Sequence, residues 1–173
     1  MAKVQEMAPD FRAPAYAGGE ILDIALSDYR GKWVVLVFYP LDFTFVCPTE
    51  LRAFADSYEA FKKEGAEVIA VSVDSVYSHK AWMERDLPTV KYPVVSDIQK
   101  TIARAYGVLL EDKGIALRGT FVIDPNGVLQ YQVVSALNLG RSTDETLRVL
   151  KALKTGELCP ANWRPGEKTL GKG

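Results

Sequence analysis

The chain has 173 residues, of which 48% are hydrophobic and 25% are charged, and this length suits a single domain with a substantial core. Its 21 basic and 22 acidic residues give a formal net charge of -1, which argues against a nucleic-acid partner. The longest apolar run covers only 33–39, and the first residues lack the apolar stretch of a secretory signal. We therefore expect a cytoplasmic protein without a membrane partner, or a mature form whose targeting segment has been removed.

The predicted strands are continuous apolar segments rich in β-branched residues. They cover 33–39, 68–74 and, more weakly, 93–97. Two later segments, 119–124 and 128–134, flank the turn sequence Pro-Asn-Gly and predict a hairpin.

Helices are predicted between these strands. A stripe of apolar residues at helical spacing predicts a helix over 48–64, and weaker patterns predict helices over 78–86 and 99–106. Strands alternating with helices, closed by a hairpin, indicate an α/β fold with a mixed central β-sheet flanked by helices.

A last helix is predicted from a capping pattern. Ser142 followed by Glu145 predicts its start, and the helix should run to about Thr155 before Gly156 ends it. We expect this helix to turn three leucines inward, namely Leu147, Leu150 and Leu153.

Cys47 lies in the segment FYPLDFTFVCPTE, between the predicted strand 33–39 and the predicted helix 48–64. Pro48 suits the first position of a helix, where its missing N–H has no cost. Cys47 would then lie at the helix N-terminus, where unpaired amides and the helix dipole favour an anion. This placement favours the thiolate, which is the nucleophilic form, and so predicts a reactive cysteine.

Other cysteine chemistries fit this sequence poorly. Glu50 stands three residues after Cys47, which excludes a C-x-x-C dithiol at this position. A cysteine hydrolase needs a histidine base, and the single histidine, His79, is expected to be an exposed helix residue. Without a cluster of histidines and cysteines we expect no metal, and no motif calls for a cofactor.

The segment FYPLDFTFVCPTE resembles, almost letter for letter, the peroxidatic signature of the typical 2-Cys peroxiredoxins, the alkyl hydroperoxide reductase C and thioredoxin peroxidase type. The resemblance continues in order through APDF, LSDYRGKWVVLVFYP, VSVDS, SHKAW, RGTFVIDPNG, GRSTDETLR and GELCPANWRPG, and covers nearly the whole chain. It implies a thioredoxin-like fold with an N-terminal elaboration. It also implies a homodimer that assembles into a ring of dimers, a decamer.

The resemblance assigns roles to four residues around the thiol. Cys47 matches the peroxidatic cysteine, Thr44 the hydroxyl that holds the peroxide, and Pro40 the proline that shields the site from water. Arg118 matches the guanidinium that lies over the thiolate. These roles agree with the chemistry, because cleavage of an O–O bond develops charge on both oxygens and fixed donors stabilise that charge.

Supporting residues are implied in the same way. Glu50 and Arg141 match polar residues that hold the catalytic arginine and the loop. Tyr39 and Trp82 are expected to be core aromatic side chains packed around the pocket.

Cys159, in GELCPANWRPG, matches the resolving cysteine, which condenses with the sulfenic acid formed on Cys47. The sequence by itself leaves open whether this disulfide forms within one chain or between chains, and the resemblance implies between chains. We expect residues 1–155 to form the peroxidase domain and residues 156–173 to form a C-terminal segment that carries Cys159.

The resemblance implies a thiol peroxidase that reduces hydrogen peroxide and organic hydroperoxides. Its disulfide would be recycled by thioredoxin or by a dedicated flavoprotein disulfide reductase, and the sequence does not separate these two donors. A holdase-type chaperone or a peroxide-signalling interaction protein on the same scaffold is the alternative function.

Overall fold

A computed structural model describes all 173 residues, which form two compact units, residues 1–141 and residues 142–173. The second unit contains the last helix together with the C-terminal segment. The domain boundary expected after residue 155 stays a prediction. None of the helices combines the length and the apolar composition needed to cross a bilayer.

The first unit is built on a seven-stranded mixed sheet with the strand order β2-β1-β5-β4-β3-β8-β9. These strands are β1 Arg12–Ala17, β2 Glu20–Ala25, β3 Trp33–Phe38, β4 Ala66–Ser72, β5 Val94–Ser96, β8 Arg118–Ile123 and β9 Leu129–Ser135. The strands β3, β4 and β5 run parallel, β8 pairs antiparallel with β3, and β9 pairs antiparallel with β8. A separate two-stranded sheet pairs β6, Leu109–Leu110, with β7, Ile115–Ala116.

The helices are α1 Cys47–Asp56, α2 Tyr58–Lys63, α3 Val76–Asp86 and α4 Thr101–Ala105, with a 3-10 helix at Leu26–Tyr29 and, in the second unit, α5 Thr143–Lys154. The predicted mixed α/β fold is confirmed. The single helix expected over 48–64 is wrong, because the chain breaks at Ser57 into α1 and α2. The apolar stripe spans the break, since Leu51, Phe54 and Phe61 are all fully buried.

The central strands owe their stability to apolar burial on both faces. Val35 and Val37 alternate with Leu36 and Phe38 along β3, and all four side chains are excluded from solvent. Phe38, Tyr106 and Phe121 form an aromatic cluster with ring centroids 4.9 to 5.6 Å apart. This rigid centre of the sheet supplies the strands that end at the candidate site.

An N-terminal hairpin extends the sheet. The strands β1 and β2 pair antiparallel around a turn at Gly18 and Gly19, both with positive φ, and β1 also pairs with β5. The Pro- and Gly-rich composition of this segment hides these strands from the sequence, because proline and glycine are depleted in strands.

In the second unit, α5 begins and ends as predicted. The Ser142 hydroxyl accepts a hydrogen bond from the Glu145 amide at 3.2 Å, and Gly156 follows the helix with a φ of 65°. The predicted inward face is wrong in part. The buried residues are Thr146, Val149 and Leu150, whereas Leu147 and Leu153 are half-exposed, so the apolar stripe is rotated around the helix.

Candidate active site

Cys47 is the first residue of α1 and only 1% of its surface is exposed. Pro48 is the second helical residue, one position later than the sequence predicts. It has no amide proton, and the Thr49 and Glu50 amides donate to the Val46 carbonyl at 3.0 and 3.3 Å. The thiol lies at the positive end of the helix dipole. This position favours a thiolate that is shielded from bulk water.

Arg118, at the start of β8, brings a guanidinium to the thiol. Its Nη1 lies 3.3 Å from Cys47 Sγ and 2.6 Å from Glu50 Oε1. Its Nε donates to the carbonyl of Leu137 at 2.8 Å, and only 4% of the residue is exposed. The arginine is therefore held by acceptors on two sides, with one N–H aimed at the sulfur.

Glu50, one turn after Cys47 on α1, lies between two arginines. Its Oε1 accepts from Arg118 and also from Arg141 Nη2 at 2.9 Å. Its Oε2 accepts from the Nε and the backbone amide of Arg141, at 2.7 and 2.9 Å. Burial by itself raises the pKa of Glu50, but the hydrogen bonds and charge of Arg141, with the charge of Arg118, outweigh it and hold this pKa below the ordinary value.

The formal charges of this cluster do not cancel. Two guanidinium cations face the single carboxylate of Glu50, and all three side chains are buried. A buried excess charge is costly unless an opposite charge lies nearby. A thiolate on Cys47 supplies that charge, so the cluster favours the nucleophilic form of the cysteine.

Arg141 is fixed to the sheet as well as to Glu50. Its Nη1 donates to the Gly119 carbonyl at 2.8 Å and to the Thr120 hydroxyl at 3.4 Å, both on β8. The structure thus brings together Cys47, Glu50, Arg118 and Arg141 as the sequence resemblance implied.

The loop between β3 and α1 leads into Cys47 and carries two more of the predicted site residues. Pro40 is buried at the end of β3, and Thr44 is half-buried three residues before Cys47. The Thr44 hydroxyl donates to the carbonyl of Leu41 at 2.8 Å, which leaves its oxygen lone pairs free to accept a hydrogen bond from a bound ligand.

His79 is fully buried, so the expectation of an exposed helix residue is wrong. Its Nδ1 lies 2.8 Å from Asp42 Oδ2, and its Nε2 lies 3.0 Å from the carbonyl of Val95. Asp42 also accepts from the hydroxyls of Tyr39, at 2.6 Å, and Ser78, at 2.8 Å. This network ties the loop before Cys47 to α3 and β5.

Sequence reasoning missed this network because its members are far apart in the chain. The available signal was Asp42, a carboxylate in an otherwise apolar loop, which needs a buried partner. No pattern in the sequence connects it with a histidine on a later helix.

One group of residues has the spacing of a metal site. The candidate ligand atoms of Asp42, Asp74 and His79 lie within 4.8 Å of one another. Both imidazole nitrogens are engaged in hydrogen bonds, and Ser72 and Ser78 donate to the two carboxylates. Burial, with the charge of Asp42, raises the pKa of Asp74. The group is therefore a satisfied hydrogen-bond network that a cation would have to dismantle.

The expected core aromatics lie beside this loop. Tyr39 and Trp82 are buried, with ring centroids 6.1 Å apart. Phe43 adopts a positive φ of 57° and packs against Trp82 at 5.8 Å, with Arg85 over its ring at 4.9 Å. Phe45, in contrast, is 92% exposed, which is unusual for a phenylalanine next to a reactive cysteine.

The second unit carries the other cysteine. Cys159 is a free, half-buried thiol in the segment after α5. Its Sγ lies 3.5 Å from the Thr155 hydroxyl and 3.6 Å from the Ala152 carbonyl.

Comparison with known protein families places both cysteines in matched regions. Residues 4–132, which include Cys47, match the AhpC/TSA family. Residues 152–171, which include Cys159, match the C-terminal domain of 1-Cys peroxiredoxin.

Individual relatives match along nearly the whole chain. The chloroplastic 2-Cys peroxiredoxin BAS1 of Hordeum vulgare is 52% identical over 177 residues, covering 96% of this chain and 84% of the barley protein. A peroxiredoxin of Cynops pyrrhogaster is 51% identical over 179 residues, covering 98% of this chain and 90% of the newt protein.

The fold also superposes on solved structures of similar proteins. Reduced Plasmodium vivax 2-Cys peroxiredoxin superposes with a TM-score of 0.93 at 40% identity, covering 97% of this chain and 92% of that one. Enterococcus faecalis AhpC superposes with a TM-score of 0.88 at 35% identity, covering 92% and 100% of the two chains. With a buried cysteine at a helix N-terminus under an arginine, this protein belongs to the AhpC/TSA family and is a peroxiredoxin, an oxidoreductase that reduces peroxides with a cysteine thiol.

Proposed function

We propose that Cys47 attacks hydrogen peroxide and organic hydroperoxides, and that Cys159 resolves the product by forming a disulfide with Cys47 of a partner subunit. The observation that carries the first part is the 3.3 Å contact between Arg118 Nη1 and Cys47 Sγ at the N-terminus of α1. A cation and a helix N-terminus at one sulfur favour a thiolate and stabilise negative charge that develops beside it.

The first step is a displacement at oxygen. The Cys47 thiolate attacks one peroxide oxygen, the O–O bond breaks, and the electron pair leaves with the other oxygen, which takes up a proton to become water or an alcohol. Cys47 is left as a sulfenic acid. Arg118 is placed to stabilise both the thiolate and the charge that develops on the departing oxygen.

The neighbouring residues have supporting roles in this proposal. The Thr44 oxygen accepts a hydrogen bond from the O–H of the bound peroxide, which orients the peroxide oxygens for attack. Pro40 excludes water at the end of β3. Glu50 and Arg141 hold Arg118 in position through the hydrogen bonds described above.

The second step forms the disulfide. The Cys159 thiol attacks the sulfenic sulfur, the S–O bond breaks, and water leaves with the thiol proton. Support for a two-cysteine cycle comes from the similarity to the 2-Cys peroxiredoxins of Hordeum vulgare and Plasmodium vivax.

We further propose a homodimer assembled into a ring of dimers, a decamer. Two exposed apolar regions support self-association. The strand β9 is an edge of the sheet and exposes Val133 and Val134, and the loop before Cys47 exposes Phe45. An unpaired edge strand and exposed aromatic side chains are typical of surfaces that are covered in an assembly.

The proposed electron donor is thioredoxin or a flavoprotein disulfide reductase. Either donor must reduce the Cys47–Cys159 disulfide by thiol-disulfide exchange. Turnover assays with each purified donor would distinguish them, since the preferred donor should support the higher kcat/KM.

A single-turnover experiment tests the proposed roles. Reduced protein is mixed with hydrogen peroxide in a stopped-flow instrument, and sulfenic acid at each cysteine is then trapped and identified by mass spectrometry. Cys159→Ser should retain fast oxidation of Cys47 and accumulate its sulfenic acid, whereas Cys47→Ser should lose the fast reaction. Equal loss in the two variants would reject the division of roles.

A further inference from the structure

Cys159 lies in a compact local structure within residues 142–173. The segment after α5 closes on itself, since the Leu158 amide donates to the Gly171 carbonyl at 2.9 Å and the Leu170 amide donates to the Leu158 carbonyl at 2.8 Å. Within this closed segment, the thiol lies against the last turn of α5, near Thr155 and Ala152.

The other hydrogen bonds of Thr155 indicate which atom is the donor in its contact with Cys159. The Thr155 hydroxyl carries one proton and donates it to the Ala152 carbonyl at 2.7 Å. The same oxygen accepts from the Glu157 amide at 3.1 Å. The 3.5 Å contact between Thr155 and Cys159 therefore has the thiol as its donor.

The Cys159 sulfur is also placed to donate to a second oxygen. The Ala152 carbonyl, 3.6 Å from Cys159 Sγ, belongs to the C-terminal end of α5, where the helix dipole is negative. The thiol has a single proton, so it can donate to only one of these oxygens at a time. Together the two oxygens hold the sulfur against the last turn of α5.

We propose that Thr155 is a positioning residue that holds the Cys159 thiol in an unreactive stored position at the end of α5. This inference rests on the proposed function, in which Cys159 resolves the sulfenic acid of Cys47. Before that step can occur, the thiol must leave the Thr155 and Ala152 oxygens. The stability of this hydrogen-bonded position thus sets how fast the disulfide forms once Cys47 is oxidised.

The first test isolates Cys159 in a Cys47→Ser background, where peroxide chemistry plays no part. The rate of alkylation by iodoacetamide is measured with and without Thr155→Val, which replaces the hydroxyl by a methyl group of similar size. Loss of one hydrogen bond of the usual net strength should raise the alkylation rate about two- to fivefold. The conservative variant Thr155→Ser keeps the hydroxyl and should react at the parental rate.

The second test uses protein with both cysteines present. After a peroxide pulse, Thr155→Val should form the disulfide about two- to fivefold faster and convert a smaller share of Cys47 to sulfinic acid. The rate of the preceding oxidation of Cys47 should not change. If Thr155 only stabilised the helix, Thr155→Val would lower the melting temperature without changing these rates. If the valine variant does not fold, Thr155→Ala takes its place.

The outcomes separate this proposal from the proposed function. Alkylation that is unchanged or slower in Thr155→Val and Thr155→Ala would overturn the storage role. If wild-type protein formed no disulfide between Cys47 and Cys159, the proposed function would fail instead. The alkylation rates in the Cys47→Ser background would still decide the role of Thr155.

Discussion

The imidazole of His79 and the carboxyl group of Asp42 form a fully buried pair, with Nδ1 2.8 Å from Oδ2. Because the other ring nitrogen faces the Val95 carbonyl, acceptors lie at both nitrogens. This pair anchors the loop that carries Thr44 and leads into Cys47.

His79→Ala should lower the free energy of unfolding by about 3 kcal/mol, because it leaves Asp42 buried without its main partner. The loss is measured by urea denaturation. Lys80→Ala changes the next residue of α3, whose exposed side chain pairs with Glu84, and it should leave stability nearly unchanged. Equal losses in the two variants would show that the buried pair contributes no more to the free energy of unfolding than the exposed one.

Arg118→Ala should slow the single-turnover oxidation of Cys47 by about 100-fold or more, the usual effect of removing one charge-stabilising donor. The fold should persist, because Arg141 still neutralises Glu50. Stopped-flow kinetics give the rate, and circular dichroism confirms folding. Arg104→Ala removes an exposed arginine paired with Glu111 and serves as the control. A rate within a few-fold of wild type in Arg118→Ala would exclude the proposed role.

Glu50→Gln should change how stability depends on pH. The pKa of Glu50 in the folded protein lies below its ordinary value of 4.5, so the unfolded chain binds more protons in that range. The stability that the ionised Glu50 contributes is fully present above pH 4.5 and is lost as the pH falls through the lower pKa of the folded protein. Urea denaturation between pH 6 and pH 3 should therefore show a shallower decline for Glu50→Gln than for wild type. Parallel curves would contradict an ionised Glu50.

Mixing variants tests whether the disulfide joins two subunits. Neither Cys47→Ser nor Cys159→Ser alone can form the Cys47–Cys159 bond. Dissociated and reassembled together, then treated with peroxide, they should give a linked dimer with one disulfide on a non-reducing gel. An exclusively internal disulfide would give no linked dimer from the mixture, and oxidised wild type would then migrate as a monomer.

The position of Cys47 could be predicted from local sequence, because Pro48 and the following apolar stripe define a helix start. The ion cluster could not, since Glu50, Arg118 and Arg141 meet only through the pairing of β8 with β3 and the return of the chain after β9. Family resemblance, not pattern, pointed to those arginines.

Two errors have related physical causes. The sequence places His79 on the surface because its partner, Asp42, precedes it by two helices and a strand. The buried face of α5 differs from the predicted one because Thr146 buries its polar side chain, whose hydroxyl donates to the Ser142 carbonyl. In both cases a polar residue became suitable for burial through a hydrogen bond that hydrophobic periodicity does not record.

Both guanidinium groups of the site are tied to one central strand, because Arg118 belongs to β8 and Arg141 bonds to Gly119 and Thr120 of the same strand. The sulfur, in contrast, is carried by the first turn of a helix and the loop before it. If that turn unwinds to deliver Cys47 to its disulfide partner, Glu50 moves with it. The hydrogen bonds of the two arginines to Leu137, Gly119 and Thr120 do not involve that turn and can keep the cations in place as a preorganised template. Each catalytic cycle then needs only one helical turn to be ordered again, which limits the entropic cost of restoring the enzyme for its next substrate.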